Sequence, residues 1–228
     1  KFWYVKSQVV FFDEILTWIP EAKFIEIIRD PRDVLASKKK DCESVLDSGK
    51  YSADKRQYKK LEIAFDPLWD SLSWKSEIAA GIKIKQEYSD SIFSVRYEDL
   101  VSEPETCTRE ICDFLGVEFY KNQLDVPKRN SSLWQNKPEG IGTQSVGKWK
   151  RILTPEEAAV CQCLTRKQLK GLNYTVESLK IKLGKIIRIV FSSIGEFFQR
   201  LNKRRKMGGD KYLGSILSLY WNKFKKLF

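Results

Sequence analysis

Apolar residues recur along the chain with two different periods, and their alternation predicts the fold. Phe2 to Val5 is a short apolar run ending at Lys6-Ser7, the pattern of a strand. Val9, Phe12, Ile15, Leu16 and Ile19 then repeat at helical spacing, predicting a helix from Gln8 to Trp18 with Ser7 as its cap and Pro20 as its stop. Lys23 to Ile28 is a β-branched run and predicts a second strand. Asp30 is placed to cap the next helix, with Pro31 at its first position and Asp33 at the capping-box position. A helical stretch follows from Lys55 to Tyr88, interrupted near Asp66-Pro67, with Trp69, Leu72, Ile78 and Ile82 on its inner side. Ile92 to Arg96 is the third predicted strand. Strands alternating with helices define an α/β class, doubly wound about a parallel sheet.

Local punctuation marks the remaining elements. "SEPE" predicts a capping box between Ser102 and Glu105, for a helix ending at Gly116. Val117 to Lys150 has little regular pattern, and loops of that length are usually functional or disordered. "TPEE" at Thr154 predicts another capping box, for a helix that stops near Gly171.

Charge divides the chain further. From Val176 to Phe228 there are thirteen Lys and Arg against three Asp and Glu, a net of +10, whereas residues 1–175 come to +1. This predicts a nearly neutral body, 1–175, and a strongly basic tail, 176–228. In the tail Ile186, Ile187, Val190, Phe191, Ile194, Phe197, Phe198 and Leu201 follow a helical period, and Gly208-Gly209 breaks it. Arg188, Glu196 and Arg200 make the run too charged to span a bilayer. A basic amphipathic helix suits an anionic membrane surface, or packs on the body with a solvated basic face. No nucleic-acid motif accompanies the charge, and no nucleic-acid partner is expected.

The 228 residues, 42% of them hydrophobic, are enough for one sizeable core. Five cysteines without a CxxC pair, in a chain with no histidine, point to incidental thiols in a reducing compartment and to no zinc site. The absence of histidine excludes every triad or general base built on that residue within this chain. No secretion signal is visible. The expected location is cytoplasmic, peripheral to a membrane where the tail engages one.

Candidate chemistry gathers at Arg29. Ligands of open α/β sheets bind beyond the carboxyl ends of the strands, where Arg29 stands. The helix opening at Asp30-Pro31 offers free N–H groups, Ser37 follows on it, and a guanidinium matches phosphate oxygens. These residues read as an anion site, or alternatively as an Arg paired with a neighbouring Asp at the sheet edge.

Four segments in order bring in a family. "AKFIEIIRDPRDVLAS" resembles the 3′-phosphate-binding segment of sulfotransferases that use 3′-phosphoadenosine-5′-phosphosulfate (PAPS). "YVKS" resembles their strand-end Lys-Ser/Thr, "FSVRYEDLVSEPETCTREICDFLGV" their Tyr-Glu-Asp-Leu segment, and "SVGKWKRILTPEEA" their late Gly-x-Trp loop. The likeness covers Phe2 to about Tyr174 and is nearest the broad branch with bacterial and tyrosylprotein enzymes. It implies a sulfotransferase fold, a P-loop-NTPase-like parallel sheet flanked by helices, here with a basic helical tail.

The resemblance also implies roles. Arg29 and Ser37 would bind the 3′-phosphate, and Tyr97 would lie near the adenine. Ser145, Val146, Gly147, Lys148 and Trp149 would close over the nucleotide phosphates, with Lys150 as a further charge. Lys6 would be catalytic, stabilising charge around the transferred sulfuryl group. Local readings stand beside these: a core tyrosine at Tyr97, a core anchor at Trp149, a solvated lysine at Lys6. PAPS is the implied donor, and the reaction requires no metal. The acceptor, a carbohydrate, peptide or small molecule, is not legible.

Two departures qualify the likeness. The family's Gly-rich Lys-Ser/Thr loop, which cradles the 5′-phosphosulfate, has no counterpart in this sequence and is expected upstream of Lys1. Gln8 stands where the cytosolic branch carries its catalytic His. The alternative is therefore a degenerate, non-catalytic member that binds nucleotide or serves as a membrane-surface module.

Overall fold

The structure is a computed structural model that describes residues 11–48, 64–125 and 141–208, with side chains described as far as residue 195. The expected strand at Phe2 to Val5, together with Lys6, Ser7 and Gln8, lies outside the described residues. The chain divides into two compact units, residues 1–29 with 77–146, and residues 30–76 with 147–228.

The first unit carries the sheet. Strands β1 (Phe24–Ile28) and β2 (Ile92–Arg96) pair in parallel, in a register running from Phe24↔Ile92 to Ile28↔Arg96. Parallel strands cannot be joined by a hairpin, so the order in sequence demands a crossover. Helix α1 (Phe12–Trp18) packs through buried Phe12, whose ring lies 4.3 Å from Phe24 and 5.4 Å from Tyr88. Across the sheet Glu26 accepts from the Ser94 hydroxyl at 2.8 Å. Burial pushes the Glu26 carboxyl above the ordinary carboxylate range; the Ser94 bond and Lys85 pull it part of the way back. Helix α2 (Pro31–Asp47) belongs to the second unit.

Helix α3 (Pro67–Glu87) corrects one expectation. Leu72 and Ile78 are buried as the pattern predicts, but Ile82 is 46% exposed. Gly81 faces the sheet in its place: a Cβ there would collide with the Glu26 carboxylate. Turning Gly81 inward carries its neighbour out.

Helices α4 (Tyr97–Ser102) and α5 (Pro104–Leu115) follow β2 directly, and Phe114 of α5 packs on Phe93 at 5.6 Å. The Ser102–Glu105 capping box does not form. Proline tolerates only the first turn of a helix, so Pro104 fixes α5's start and puts the cap on Glu103, one residue beyond Ser102. Ser102 donates back to the Asp99 carbonyl, and Glu105 pairs with Arg109 at 2.7 Å. Gly116 ends α5 at φ 72°, the left-handed conformation its position predicted. The stretch expected to lack regular pattern holds single 3₁₀ turns at Lys121–Leu124 and Thr143–Ser145, and residues 126–140 lie outside the described residues.

The second unit is helical. Its core joins Leu35 and Ala36 of α2 to Trp149 of α6 (Trp149–Ile152), to Leu153, and to Ala158 and Cys161 of α7 (Pro155–Gly171). The Thr154 capping box forms in both directions, 3.2 Å from the Glu157 N–H and 2.8 Å back to the Glu157 carboxylate. Lys39 of α2 ties the same Glu157 at 2.8 Å. Beyond α7 the chain is stitched to it: Gln162 exchanges hydrogen bonds with the Glu177 backbone, and Glu156 accepts from the Lys182 N–H. Helix α8 (Leu183–Gly208) is fixed at Ser193, whose hydroxyl donates to Asp66 at 2.8 Å and whose carbonyl accepts from the Trp69 indole at 3.1 Å. The predicted apolar stripe of this helix is divided: Ile186 and Val190 are half-buried, while Ile187, Phe191 and Ile194 are exposed. Phe197, Phe198 and Leu201 lie beyond the described side chains.

Candidate functional site

Strand register places the first group of residues. Ile28 and Arg96 are register partners at the carboxyl ends of β1 and β2, so the residues immediately after them, Arg29 and Tyr97, emerge side by side. The Arg29 guanidinium lies over the Tyr97 ring, 4.6 Å from its centroid. A guanidinium over an aromatic face is held by the ring quadrupole without spending its in-plane donors. One of those donors, Nη2, reaches the Ser145 carbonyl at 2.7 Å. Arg29 and Tyr97 are both half-buried, whereas Val146 is 40% exposed. Within this unit, then, three residues named from the sequence, Arg29, Tyr97 and Ser145, meet at one sheet edge.

The second unit builds its own constellation on the first turn of α2. Asp30 caps the helix by accepting from the Arg32 N–H at 2.8 Å. The same carboxylate pairs with the Arg32 side chain at 2.6 Å, and Arg32 donates onward to Gln162 at 2.6 Å. Arg32 also stacks 4.3 Å from the Trp149 ring. Burial acts against its charge, but the Asp30 carboxylate more than offsets that, so the pKa of Arg32 lies above the ordinary guanidinium value. Arg32 is only 3% exposed and serves the core.

Asp33 has a role that local pattern did not foresee. The helix is capped by Asp30, and the two Asp33 oxygens accept from the backbone N–H groups of Trp149 at 2.9 Å and Gly147 at 2.7 Å. A capping box calls for Glu or Gln at this position, and Asp is one methylene shorter. That mismatch was the available signal. Gly147 adopts φ 72°, which an L side chain rarely accepts, so glycine permits both N–H groups to point at one carboxylate. Trp149 is buried among Leu35, Ala36, Leu153, Ala158 and Cys161, as the core-anchor reading has it, while its N–H holds Asp33. Lys148 is half-buried and Lys150 pairs with Glu177 at 2.6 Å. Ser37 lies one helical turn beyond Asp33 and is exposed. Lys6 lies outside the described residues.

Burial pushes the Cys161 thiol up to about 11, which leaves it protonated and inert near neutrality. Among the described residues no group of His, Cys, Asp or Glu is arranged to hold a metal ion. No helix among them is long and apolar enough to cross a membrane.

The described residues form a mixed α/β chain with a small parallel sheet. The sulfotransferase family model matches residues 3–121, just over half of the sequence, and the chain belongs to the sulfotransferase family. Among solved structures, the sulfotransferase domain from the curacin biosynthetic pathway is similar, with a TM-score of 0.47 and 20% identity. That match covers 75% of this chain and 60% of the other, so the chain spans less than two thirds of that domain's length. No curated protein matches the chain.

Proposed function

We propose that the protein is a PAPS-dependent sulfotransferase that moves a sulfuryl group to an acceptor hydroxyl or amine. The observation that supports this reading is Arg29 held over Tyr97 at the carboxyl edge of a parallel pair, with its Nη2 on the Ser145 carbonyl. In this reading Arg29 binds the 3′-phosphate, and Ser37 is assigned to the same phosphate by the family resemblance. Tyr97 lies near the adenine. Ser145 to Trp149 cover the nucleotide phosphates, with Gly147 allowing close backbone approach. Lys6 stabilises charge on the sulfuryl group. Residues 1–175 form the catalytic body on a P-loop-NTPase-like plan and 176–228 a basic appendage.

In the reaction, the acceptor oxygen or nitrogen forms a bond to sulfur as the bond from sulfur to the bridging phosphate oxygen breaks. Adenosine 3′,5′-bisphosphate leaves with the electron pair, and the acceptor oxygen or nitrogen gives up its proton. As in phosphoryl transfer, the protein contributes positioning and stabilisation of spreading negative charge. An arginine fork stacked on a fixed ring suits that task, because its orientation is set before the ligand arrives.

Equilibrium binding of PAPS against adenosine 5′-phosphosulfate tests the assignment, since the two differ only at the 3′-phosphate. Tighter binding of PAPS by tenfold or more is expected. Equal affinity would overturn the donor assignment.

A further inference from the structure

Helix α8 carries two apolar faces, and its unit uses only one. Ile186, Ile189, Val190 and Ser193 stand at i, i+3, i+4 and i+7, half-buried or buried, and anchor the helix. Leu183, Ile187, Phe191 and Ile194 stand at i, i+4, i+8 and i+11 on another side. They are 68%, 47%, 71% and 40% exposed. Exposed Arg188 stands beside this second face, one turn before Phe191, and residues 183–195 contain no acid.

We propose that this outward face of α8 docks on an anionic bilayer, lying in the plane of the interface. Four large apolar side chains in one acid-free row would enter the acyl boundary, and Arg188 at its margin would meet lipid phosphates and carboxylates. The charge of the whole segment favours this occupant over a protein partner: residues 176–228 carry +10. Helix α8 is not apolar enough to span a membrane, which leaves the surface as its place there. Docking of this kind leaves Ser193 bonded to its own unit while the adjoining face of the helix meets lipid.

The test is co-sedimentation of the full chain with vesicles of phosphatidylcholine alone or with one third phosphatidylserine. Binding to the anionic vesicles at low salt is expected, at least tenfold weaker in 0.5 M salt and on neutral vesicles. Ile187→Ser with Phe191→Ser should weaken that binding at least tenfold with an unchanged melting temperature, since both side chains are exposed. Should that variant melt early, Leu183→Ser with Arg188→Glu replaces it, with the same loss expected. Binding that survives both pairs of changes overturns the proposal. So does a wild-type chain that ignores anionic vesicles or uses Phe191 to self-associate without lipid.

Discussion

Asp33 accepts a hydrogen bond from the backbone N–H of Gly147 at 2.7 Å, joining residues 114 apart in sequence. The second oxygen takes the Trp149 N–H, so a single buried carboxylate fixes the conformation of the late loop. Replacing it with asparagine turns one acceptor into a donor that faces another donor. Asp33→Asn should cost about 2–4 kcal/mol, one to two unmade hydrogen bonds at roughly 1–3 kcal/mol each. Chemical denaturation with linear extrapolation measures this directly. A change below about 0.5 kcal/mol would mean the loop is held by Trp149 packing alone.

Gly147 isolates backbone strain from collision. Its φ is 72°, yet a Cβ added there would meet nothing within 4 Å. Gly147→Ala should therefore cost about 1–2 kcal/mol, the penalty of the left-handed region for an L residue. The same substitution at Gly116, also at φ 72° and also in open space, should cost a similar amount. Thermal melts of the two variants check the pairing. If only the Gly147 variant also lost nucleotide affinity, the late loop's part in binding would be separated from its part in stability.

Glu26 gives the fold a pH dependence. Its carboxyl titrates above the ordinary range because burial disfavours the charge. Between the unfolded and folded values the native state binds more protons than the unfolded chain, so stability falls as pH rises through the folded value. Glu26→Gln keeps an oxygen for the Ser94 hydroxyl and removes the buried charge. The variant should be more stable than wild type at pH 7 and should lose that decline between pH 4 and 7 when unfolding is followed across the range. Parallel pH profiles would show that Glu26 is not its source.

The elements that the sequence predicted best are those set by local chemistry. β1 and β2 follow from short β-branched runs, and the Thr154 box and the Gly116 cap follow from side chains within four residues of their partners. The Ser102 box failed on equally local grounds, because Pro104 moved the helix start by one residue. What escaped the sequence is long-range. That Arg29 meets Tyr97 depends on the pairing of Ile28 with Arg96, and a register cannot be read from either strand alone. Asp33 and Arg32 likewise look like first-turn residues until Gly147, Trp149 and Gln162 are folded against them. The division of the α8 stripe into a packed and an open face depends on where Asp66 and Trp69 hold Ser193.

Arg29 as the reader of a 3′-phosphate is the central assignment. Calorimetric titration of adenosine 3′,5′-bisphosphate and adenosine 5′-phosphate into the wild-type chain and into Arg29→Ala tests it most directly. The wild type should prefer the bisphosphate, and Arg29→Ala should lose about 1.5–3 kcal/mol of that preference, a charged hydrogen bond's worth. Equal affinities for the two nucleotides in the wild type, or a preference untouched by Arg29→Ala, would contradict it.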